Sequence, residues 1–109
     1  NLLDKLLEYF KLNSYIVINK NIKLNYENSE LIIDNKNIKL TNREKNFLKL
    51  LSENSIVTYN MMYDYMWDVD KSPTADAIKS FIKKLKRKLP YDLIKNQHSV
   101  GYYLDIKPI

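Results

Sequence analysis

One short segment of this 109-residue chain carries all of its net charge. Between Asp76 and Lys88 stand six cations and one anion, a balance of +5, whereas the other residues carry 12 Lys or Arg and 12 Asp or Glu. The apolar residues of the segment recur at helical spacing and form a stripe about 100° wide: Ile78, Phe81, Ile82, Leu85 and Leu89. The segment therefore predicts a helix that is buried on one side and cationic on the other, and such a helix can hold a polyanion in a defined register.

The polar residues of this helix divide between a free face and two shoulders. The free face, opposite the stripe, holds Asp76, Ser80, Lys83 and Arg87 with Lys84 beside them, and the shoulders hold Lys79, Lys86 and Lys88. A helix from Ala75 to Leu89 is about 22 Å long, which suits a major groove about 12 Å wide. A solvated charged face and a membrane-surface helix are the alternatives. The imbalance of six cations to one anion favours a polyanion, which is either DNA or RNA.

The composition allows one modest domain and excludes several functional classes. At 109 residues, 45% of them hydrophobic, the chain can bury a single core. The absence of cysteine excludes disulfides and thiolate metal sites, and no apolar run approaches the roughly 20 residues of a membrane span. One histidine, one glycine and the adjacent acids Asp68 and Asp70 offer no catalytic constellation, phosphate loop or metal site. We expect a non-enzymatic protein without a cofactor or a metal.

The region from Tyr15 to Leu40 predicts an antiparallel meander of four short strands. The β-type runs are Tyr15–Ile18, Ile22–Tyr26, Glu30–Ile33 and Asn37–Leu40. Clusters of Asn, Lys, Asp and Ser separate them and are typical of tight turns. None of these turns contains glycine, so Asn21 and Asn35 are the best candidates for a positive φ. Upstream, leucines at helical spacing predict a short amphipathic helix that begins at Leu2.

Three helices and a hairpin follow the meander. Each helix begins at a threonine that can cap its first turn: Thr41, which fits a capping box with Glu44, then Thr58 and Thr74. Pro90 ends the third helix, and the strand-like runs Leu93–Gln97 and Gly101–Ile106 turn at residues 98–100. The predicted fold class is α+β. We expect a winged helix-turn-helix with an N-terminal four-stranded antiparallel sheet, a three-helix core and a C-terminal β-hairpin wing.

Four motifs occur in order and at natural spacing along residues 15–106. They are Leu40-Thr41-x-x-Glu44-x-x-x-Leu48, Val57-Thr58 running to Trp67, Ile82-x-x-Leu85-Lys86-Arg87-Lys88-Leu89, and Val100-Gly101-Tyr102-x-Leu104. Together they resemble the OmpR/PhoB-type DNA-binding domain of bacterial two-component response regulators. The resemblance implies a cytoplasmic, transcription-regulating domain at residues 14–109 that binds double-stranded DNA as a homodimer. It also implies that residues 1–13 are the terminal helix and linker of a missing receiver domain, through which a cognate sensor kinase acts.

The resemblance also implies roles for individual residues. The recognition helix, residues 74–89, would lie in the major groove, where Lys84 reads bases and its neighbours contact bases or phosphates. The wing, residues 93–106, would lie on the adjacent minor groove, with His98 inside it. The DNA-binding set is Trp67, Lys79, Ser80, Lys83, Lys84, Lys86, Arg87, Asn96, His98 and Tyr102. The loop Asp68–Pro73 would touch RNA polymerase through Asp68, Asp70 and Lys71.

Departures from the family pattern change what we expect of this interface. Lys84 and Lys86 stand where the family has recognition arginines, and lysine acts as a point charge without the bidentate geometry that suits guanine. His98 and Ser99 replace an Arg-Gly pair in the wing. A neutral imidazole exploits the negative potential of a narrow minor groove less well than arginine does. We therefore expect weaker base discrimination by the wing and a larger share of phosphate contacts.

An alternative function remains open for the same basic face. A winged-helix adaptor would place it on an acidic protein or an anionic membrane surface, without DNA. The nine tyrosines could also stack on exposed bases, as in single-strand binders. Tyr63, Tyr65, Tyr102 and Tyr103, however, lie where helix and hairpin packing or phosphate contact would use them.

Overall fold

The four short strands expected in the first part of the chain form an antiparallel meander. The computed structural model describes residues 1–6, 15–67, 73–89 and 92–105, and the chain divides into two units, residues 1–45 and 46–109. The strands of the first unit are β1 (Tyr15–Asn19), β2 (Ile22–Asn25), β3 (Glu30–Ile33) and β4 (Lys36–Lys39). They pair in sequence order. Side chains of one face are buried because alternate residues of a strand point the same way: Ile18, Ile22, Leu24, Leu31 and Ile33.

The turns of this sheet confirm one expected positive φ and correct another. Asp34 and Asn35 join β3 to β4 with φ values of 49° and 69°, the signature of a two-residue type I′ hairpin. Asn21 does not have a positive φ. The Asn19 side chain instead accepts a hydrogen bond from the Asn21 backbone N–H at 2.8 Å, so an Asx turn reverses the chain without a left-handed residue. Ser29, which was not expected there, has a φ of 54°.

The first long helix begins at the predicted capping box. Helix α1 (Asn42–Glu53) follows Thr41, whose hydroxyl accepts from the Glu44 N–H at 3.1 Å while the Glu44 carboxylate accepts from the Thr41 N–H at 2.8 Å. Glu44 is buried, and this reciprocal pair satisfies two backbone donors that the helix cannot satisfy itself. The Lys45 ammonium lies 4.5 Å from the centre of the Tyr26 ring.

The second unit has the expected helices and hairpin, with a third strand added to the wing. Its elements are β5 (Val57–Thr58), α2 (Tyr59–Met66), α3 (Ala75–Lys88), β6 (Ile94–Gln97) and β7 (Gly101–Leu104). The strands form an antiparallel sheet in the order β5-β7-β6. Val57 and Thr58, the two residues that precede the second helix, therefore pair with the wing. The predicted end of α3 at Pro90 lies outside the described residues, and Leu89 caps the helix.

The core of the second unit takes its side chains from all three helices and from the strands. The apolar residues buried there are Phe47, Leu48, Leu51, Val57, Met62, Met66, Ile78, Ile82, Leu85, Leu89, Leu93 and Ile94. The Phe81 ring meets the Phe47 ring edge-on at 5.6 Å, which fixes α3 against α1 through a preferred aromatic geometry. The α+β class and the winged-helix arrangement are thus confirmed.

The beginning of the chain agrees with the predicted helix only in part. Residues 2–6 are helical, and Leu2, Leu3 and Leu6 are exposed. The rest of the predicted helix, from Leu7 on, lies outside the described residues. In the part of the chain that the structure describes, no helix is long and apolar enough to cross a bilayer.

Candidate nucleic-acid interface

Helix α3 is held by its apolar face and presents its cationic face to solvent. Ile78, Ile82 and Leu85 are 1%, 4% and 0% exposed. The residues on the opposite face, and Lys79 on the shoulder beside it, are all exposed: Asp76, Lys79, Ser80, Lys83, Lys84 and Arg87. None of those four cations forms an ion pair with another residue in the described ranges. Because one face is anchored in the core, the opposite face is a rigid row of uncompensated positive charge.

The ends of α3 match its dipole. The Thr74 hydroxyl accepts a hydrogen bond from the Ala77 N–H at 3.1 Å, as an N-cap should. Asp76 lies in the first turn, and the last turn holds Lys86, Arg87 and Lys88. Acids near the N-terminus and cations near the C-terminus of a helix are both favourable. Lys86, Arg87 and Lys88 therefore stabilise the helix through its dipole and also add to its positive charge.

Trp67 lies at the end of α2 and contacts the third helix. Its ring meets Phe81 edge-on at 5.8 Å, and the residue is half-buried. Phe81 thus sits between two aromatic rings, Trp67 on one side and Phe47 on the other. The predicted contact between the indole N–H and a phosphate stays a prediction, since the structure shows only how the ring is held.

A cluster of polar side chains joins the wing to the start of α2. The Thr58 hydroxyl caps α2 by accepting from the Met61 N–H at 3.2 Å. The Tyr59 hydroxyl accepts a hydrogen bond from the Asn96 side-chain amide at 3.3 Å, and the Tyr59 ring meets the Tyr102 ring edge-on at 5.9 Å. Asn96, a predicted DNA contact on β6, is exposed and is oriented by a residue of α2.

Tyr102 is placed differently from the other members of the predicted DNA-binding set. It is only 5% exposed, and its ring packs against Phe47 as well as Tyr59. Burial raises the pKa of its hydroxyl, and the neighbouring Tyr59 raises it further, while a hydrogen bond with Asn96 opposes them. Little of Tyr102 is therefore left for a ligand, and its observed role is to support Tyr59 and Asn96.

The other tyrosines of α2 do not pack as the sequence suggested. Tyr65 is 67% exposed and Tyr63 is 37% exposed, so the expectation that packing would use Tyr65 is wrong. Met62 and Met66, four residues apart, take the inner face of this eight-residue helix, which leaves Tyr65 outside. Phosphate contact by either ring stays a prediction.

The tip of the wing is a tight turn that exposes its histidine. Val100 donates its N–H to the Gln97 carbonyl at 3.0 Å, and Ser99 has a φ of 63°. His98 is exposed at this turn. At Gly101, a Cβ atom would lie 2.0 Å from the Val57 carbonyl oxygen. The only glycine of the chain is therefore required by the close approach of β5 to β7 and not by a left-handed backbone.

Asp92, which was not among the predicted site residues, neutralises Lys86 in the last turn of the basic helix. Asp92 accepts a hydrogen bond from Lys95 at 2.8 Å and lies 3.6 Å from the Lys86 ammonium. The hydrogen bond from Lys95 is the main reason why the pKa of Asp92 is lowered, and the same bond raises the pKa of Lys95. The only sequence signal for this contact was an acid just beyond a cationic helix end.

The structure therefore brings together most of the predicted site residues and leaves a few undescribed. The free face of α3 holds Ser80, Lys83, Lys84 and Arg87, with the exposed Lys79 on its shoulder. Lys86, on the shoulders too, is half-buried beside Asp92. Asp68, Asp70 and Lys71, the predicted polymerase contacts, lie outside the described residues. In the ranges that the structure covers, no group of three or more His, Cys, Asp or Glu side chains could hold a metal ion.

Comparisons with known proteins agree with this geometry. The family model described as "Transcriptional regulatory protein, C terminal" matches residues 35–104. "Regulatory protein VanRB" from Enterococcus faecalis is 30% identical over 81 residues, which cover 72% of this chain and 37% of VanRB. This chain therefore spans little more than a third of the length of that relative.

Two solved structures share the fold. The DNA-binding domain of CpxR from E. coli has a TM-score of 0.69 at 24% identity, with 83% of this chain and 94% of that domain covered. The response regulator DrrB, an OmpR/PhoB homologue from Thermotoga maritima, has a TM-score of 0.70 at 19% identity, with 94% of this chain and 50% of DrrB covered. These similarities establish the architecture of sheet, helices and wing.

Proposed function

This chain belongs to the family of OmpR/PhoB-type winged-helix domains at the C-terminus of transcriptional regulatory proteins, and we propose that it binds double-stranded DNA in a sequence-specific manner. The observation that carries the proposal is the free face of α3 with the adjoining Lys79, where four exposed cations form no ion pair within the described residues. A family of transcription regulators also agrees with the expectation of a non-enzymatic domain.

Helix α3 has the dimensions and the rigidity that insertion into the major groove requires. Its 14 residues span about 21 Å, and the buried stripe prevents it from rotating away from the groove. Ser80, Lys83, Lys84 and Arg87 would face the DNA, with Lys84 nearest to the bases. Because three of these four are cations and only one is an arginine, phosphate contacts would supply most of the affinity.

The wing would bind next to the recognition helix. Its strands β6 and β7 end in a turn that exposes His98, and Asn96 on β6 is already oriented by Tyr59. Asn96 would donate to a backbone phosphate, and His98 would approach the minor groove. Trp67, Lys79 and Lys86 belong to the proposed contact set on the strength of the family resemblance, whereas the buried Tyr102 would act through Tyr59 and Asn96.

The wider assembly is also a proposal. VanRB is much longer than this chain, which supports an N-terminal receiver domain whose last helix and linker are residues 1–13. In that arrangement a cognate sensor kinase acts through the receiver, the domain binds repeated half-sites as a homodimer in the cytoplasm, and residues 68–73 contact RNA polymerase. The proposed contacts in that loop are Asp68, Asp70 and Lys71.

The proposal is tested by binding to duplex DNA. Selection of bound duplexes from a random pool should return one enriched sequence motif, and two copies at a fixed spacing would support a dimer. The logarithm of the binding constant should fall linearly with the logarithm of the salt concentration, by about 0.9 per phosphate neutralised. Failure to bind any duplex at low salt, together with tight binding to an acidic protein or an anionic vesicle, would favour the adaptor instead.

A matched pair of charge variants separates the proposed surface from net charge. Replacement of Lys83, Lys84 and Arg87 by glutamine should abolish most duplex binding. Replacement of Lys20, Lys23 and Lys36, three exposed lysines of the first unit, removes the same charge and should leave most binding intact. Equal losses in the two variants would contradict a role specific to α3.

A further inference from the structure

Asp92 links the end of the recognition helix to the wing. Its carboxylate accepts a hydrogen bond from the Lys95 ammonium on β6 at 2.8 Å and lies 3.6 Å from the Lys86 ammonium in the last turn of α3. Between residues 73 and 105 the chain has only two other acids, Asp76 and Asp105. Two cations of the basic region thus share one anion, unlike those on the free face of α3.

Stability does not account for this arrangement. The Asp92 side chain is 59% exposed, and ion pairs between exposed side chains contribute little to folding. Hydrogen bonds from Lys95 and Lys86 lower the pKa of Asp92, so the carboxylate is fully charged at neutral pH. A charged acid at the junction of two DNA-facing elements affects a polyanionic ligand directly, because it repels phosphates and also occupies cations that phosphates would attract.

We propose that Asp92 is an internal competitor of the DNA phosphates, which limits how strongly this domain binds duplex DNA by holding Lys86 and Lys95. The inference rests on the proposed function. While Asp92 holds them, these two lysines are not available to neutralise phosphates. Lys83, Lys84 and Arg87 give up no partner when DNA binds. Binding to DNA of random sequence depends almost wholly on phosphate contacts, so the effect of Asp92 on affinity should be largest for such DNA.

The experiment compares the wild-type chain with Asp92→Asn on a duplex of random sequence. If one or two lysines are released, the slope of log K against log salt should become steeper by about 0.9 to 1.8. Affinity at about 0.1 M salt should rise roughly three- to tenfold, since each additional phosphate neutralised contributes a factor of this order. In a background with Lys86→Gln and Lys95→Gln, Asp92→Asn should produce no such change of slope.

Two controls separate local charge from net charge and from folding. Glu27→Gln removes one negative charge from the turn between β2 and β3, where Glu27 is exposed and forms no ion pair with the described residues, and it should leave the slope unchanged. Asp92→Glu retains the carboxylate and should behave as the wild type. Both Asp92 variants should melt within a few degrees of the wild type, because exposed ion pairs add little stability.

The outcomes distinguish this inference from the proposed function. If the wild-type chain binds duplex DNA and Asp92→Asn changes binding no more than Glu27→Gln does, the inference is wrong while the proposed function stands. Weaker binding by Asp92→Asn, or a gain that persists without Lys86 and Lys95, also overturns it. If the wild-type chain binds no duplex at low salt, both fail.

Discussion

Replacement of Gly101 by alanine is the perturbation whose effect the structure predicts most sharply. The added Cβ would lie 2.0 Å from the Val57 carbonyl oxygen and 2.8 Å from Thr58 Cα. Both are backbone atoms, so no side chain can rotate to make room. Strand β5 must therefore move away from β7, although Gly101 itself has a backbone conformation that alanine tolerates.

The cost follows from what this movement breaks. Strand β5 pairs with β7 through Val57 with Tyr102 and Thr58 with Gly101, and the Tyr59 N–H donates to the Val100 carbonyl at 3.3 Å. Overpacking costs about 1–3 kcal/mol, and each lost backbone hydrogen bond about 1 kcal/mol. The free energy of unfolding should fall by roughly 2–4 kcal/mol, which lowers the melting temperature by about 8–30 °C.

Thermal denaturation followed by circular dichroism measures this change. Val100→Ala is the control, because Val100 is an exposed neighbour whose replacement should change stability by no more than about 0.5 kcal/mol. Thr58 also caps α2, so the Gly101 variant should lose helical signal at a lower temperature than the control. A melting temperature within about 2 °C of the wild type would refute the argument that close approach requires this glycine.

Four further changes test other parts of the interface. Lys84→Ala should cost roughly 1–3 kcal/mol on the preferred site and relax its specificity; equal losses on preferred and random duplexes would make Lys84 only a phosphate contact. His98→Arg should strengthen binding to sites with AT-rich flanks, where the minor groove is narrow, and unchanged affinity would mean that the wing does not reach the groove. Ser99→Gly should raise the free energy of unfolding by roughly 0.5–1 kcal/mol, because glycine adopts a φ of 63° without strain, and a lower melting temperature would contradict this reasoning. Burial raises the pKa of Tyr102, so its contribution to stability is fully present below pH 10, the ordinary tyrosine value, and is lost as the pH rises through the folded-state pKa. The free energies of unfolding of the wild type and Tyr102→Phe should therefore diverge across that pH range. Parallel curves of unfolding free energy against pH would contradict this.

Local signals in the sequence were sufficient for helices α1 to α3 and for the residues at which they begin. Thr41 with Glu44, and later Thr74, cap helices as expected because a cap depends on residues only two or three positions away. The buried stripe of α3 follows from its helical period alone. The free face of the candidate interface could therefore be predicted residue by residue.

Contacts between distant parts of the chain were harder to predict from the sequence. The two-residue strand β5 is stabilised by pairing with β7, some 44 residues later in sequence, and so short a run has no period of its own. The sequence places Asp92 just after the third helix, but only the three-dimensional structure shows that it contacts both Lys86 and Lys95. The turn at Asn21 was misjudged because the Asn19 side chain provides the reversal.

An amide NMR titration of the chain with its selected duplex tests the central claim most directly. The account predicts that the largest shift changes fall on α3 between Lys79 and Lys88 and on the wing around His98, while strands β1–β4 serve as an internal reference with small changes. Large changes on β1–β4 with little change on α3 would contradict it, because the cationic face of the third helix would then not be the surface that meets DNA.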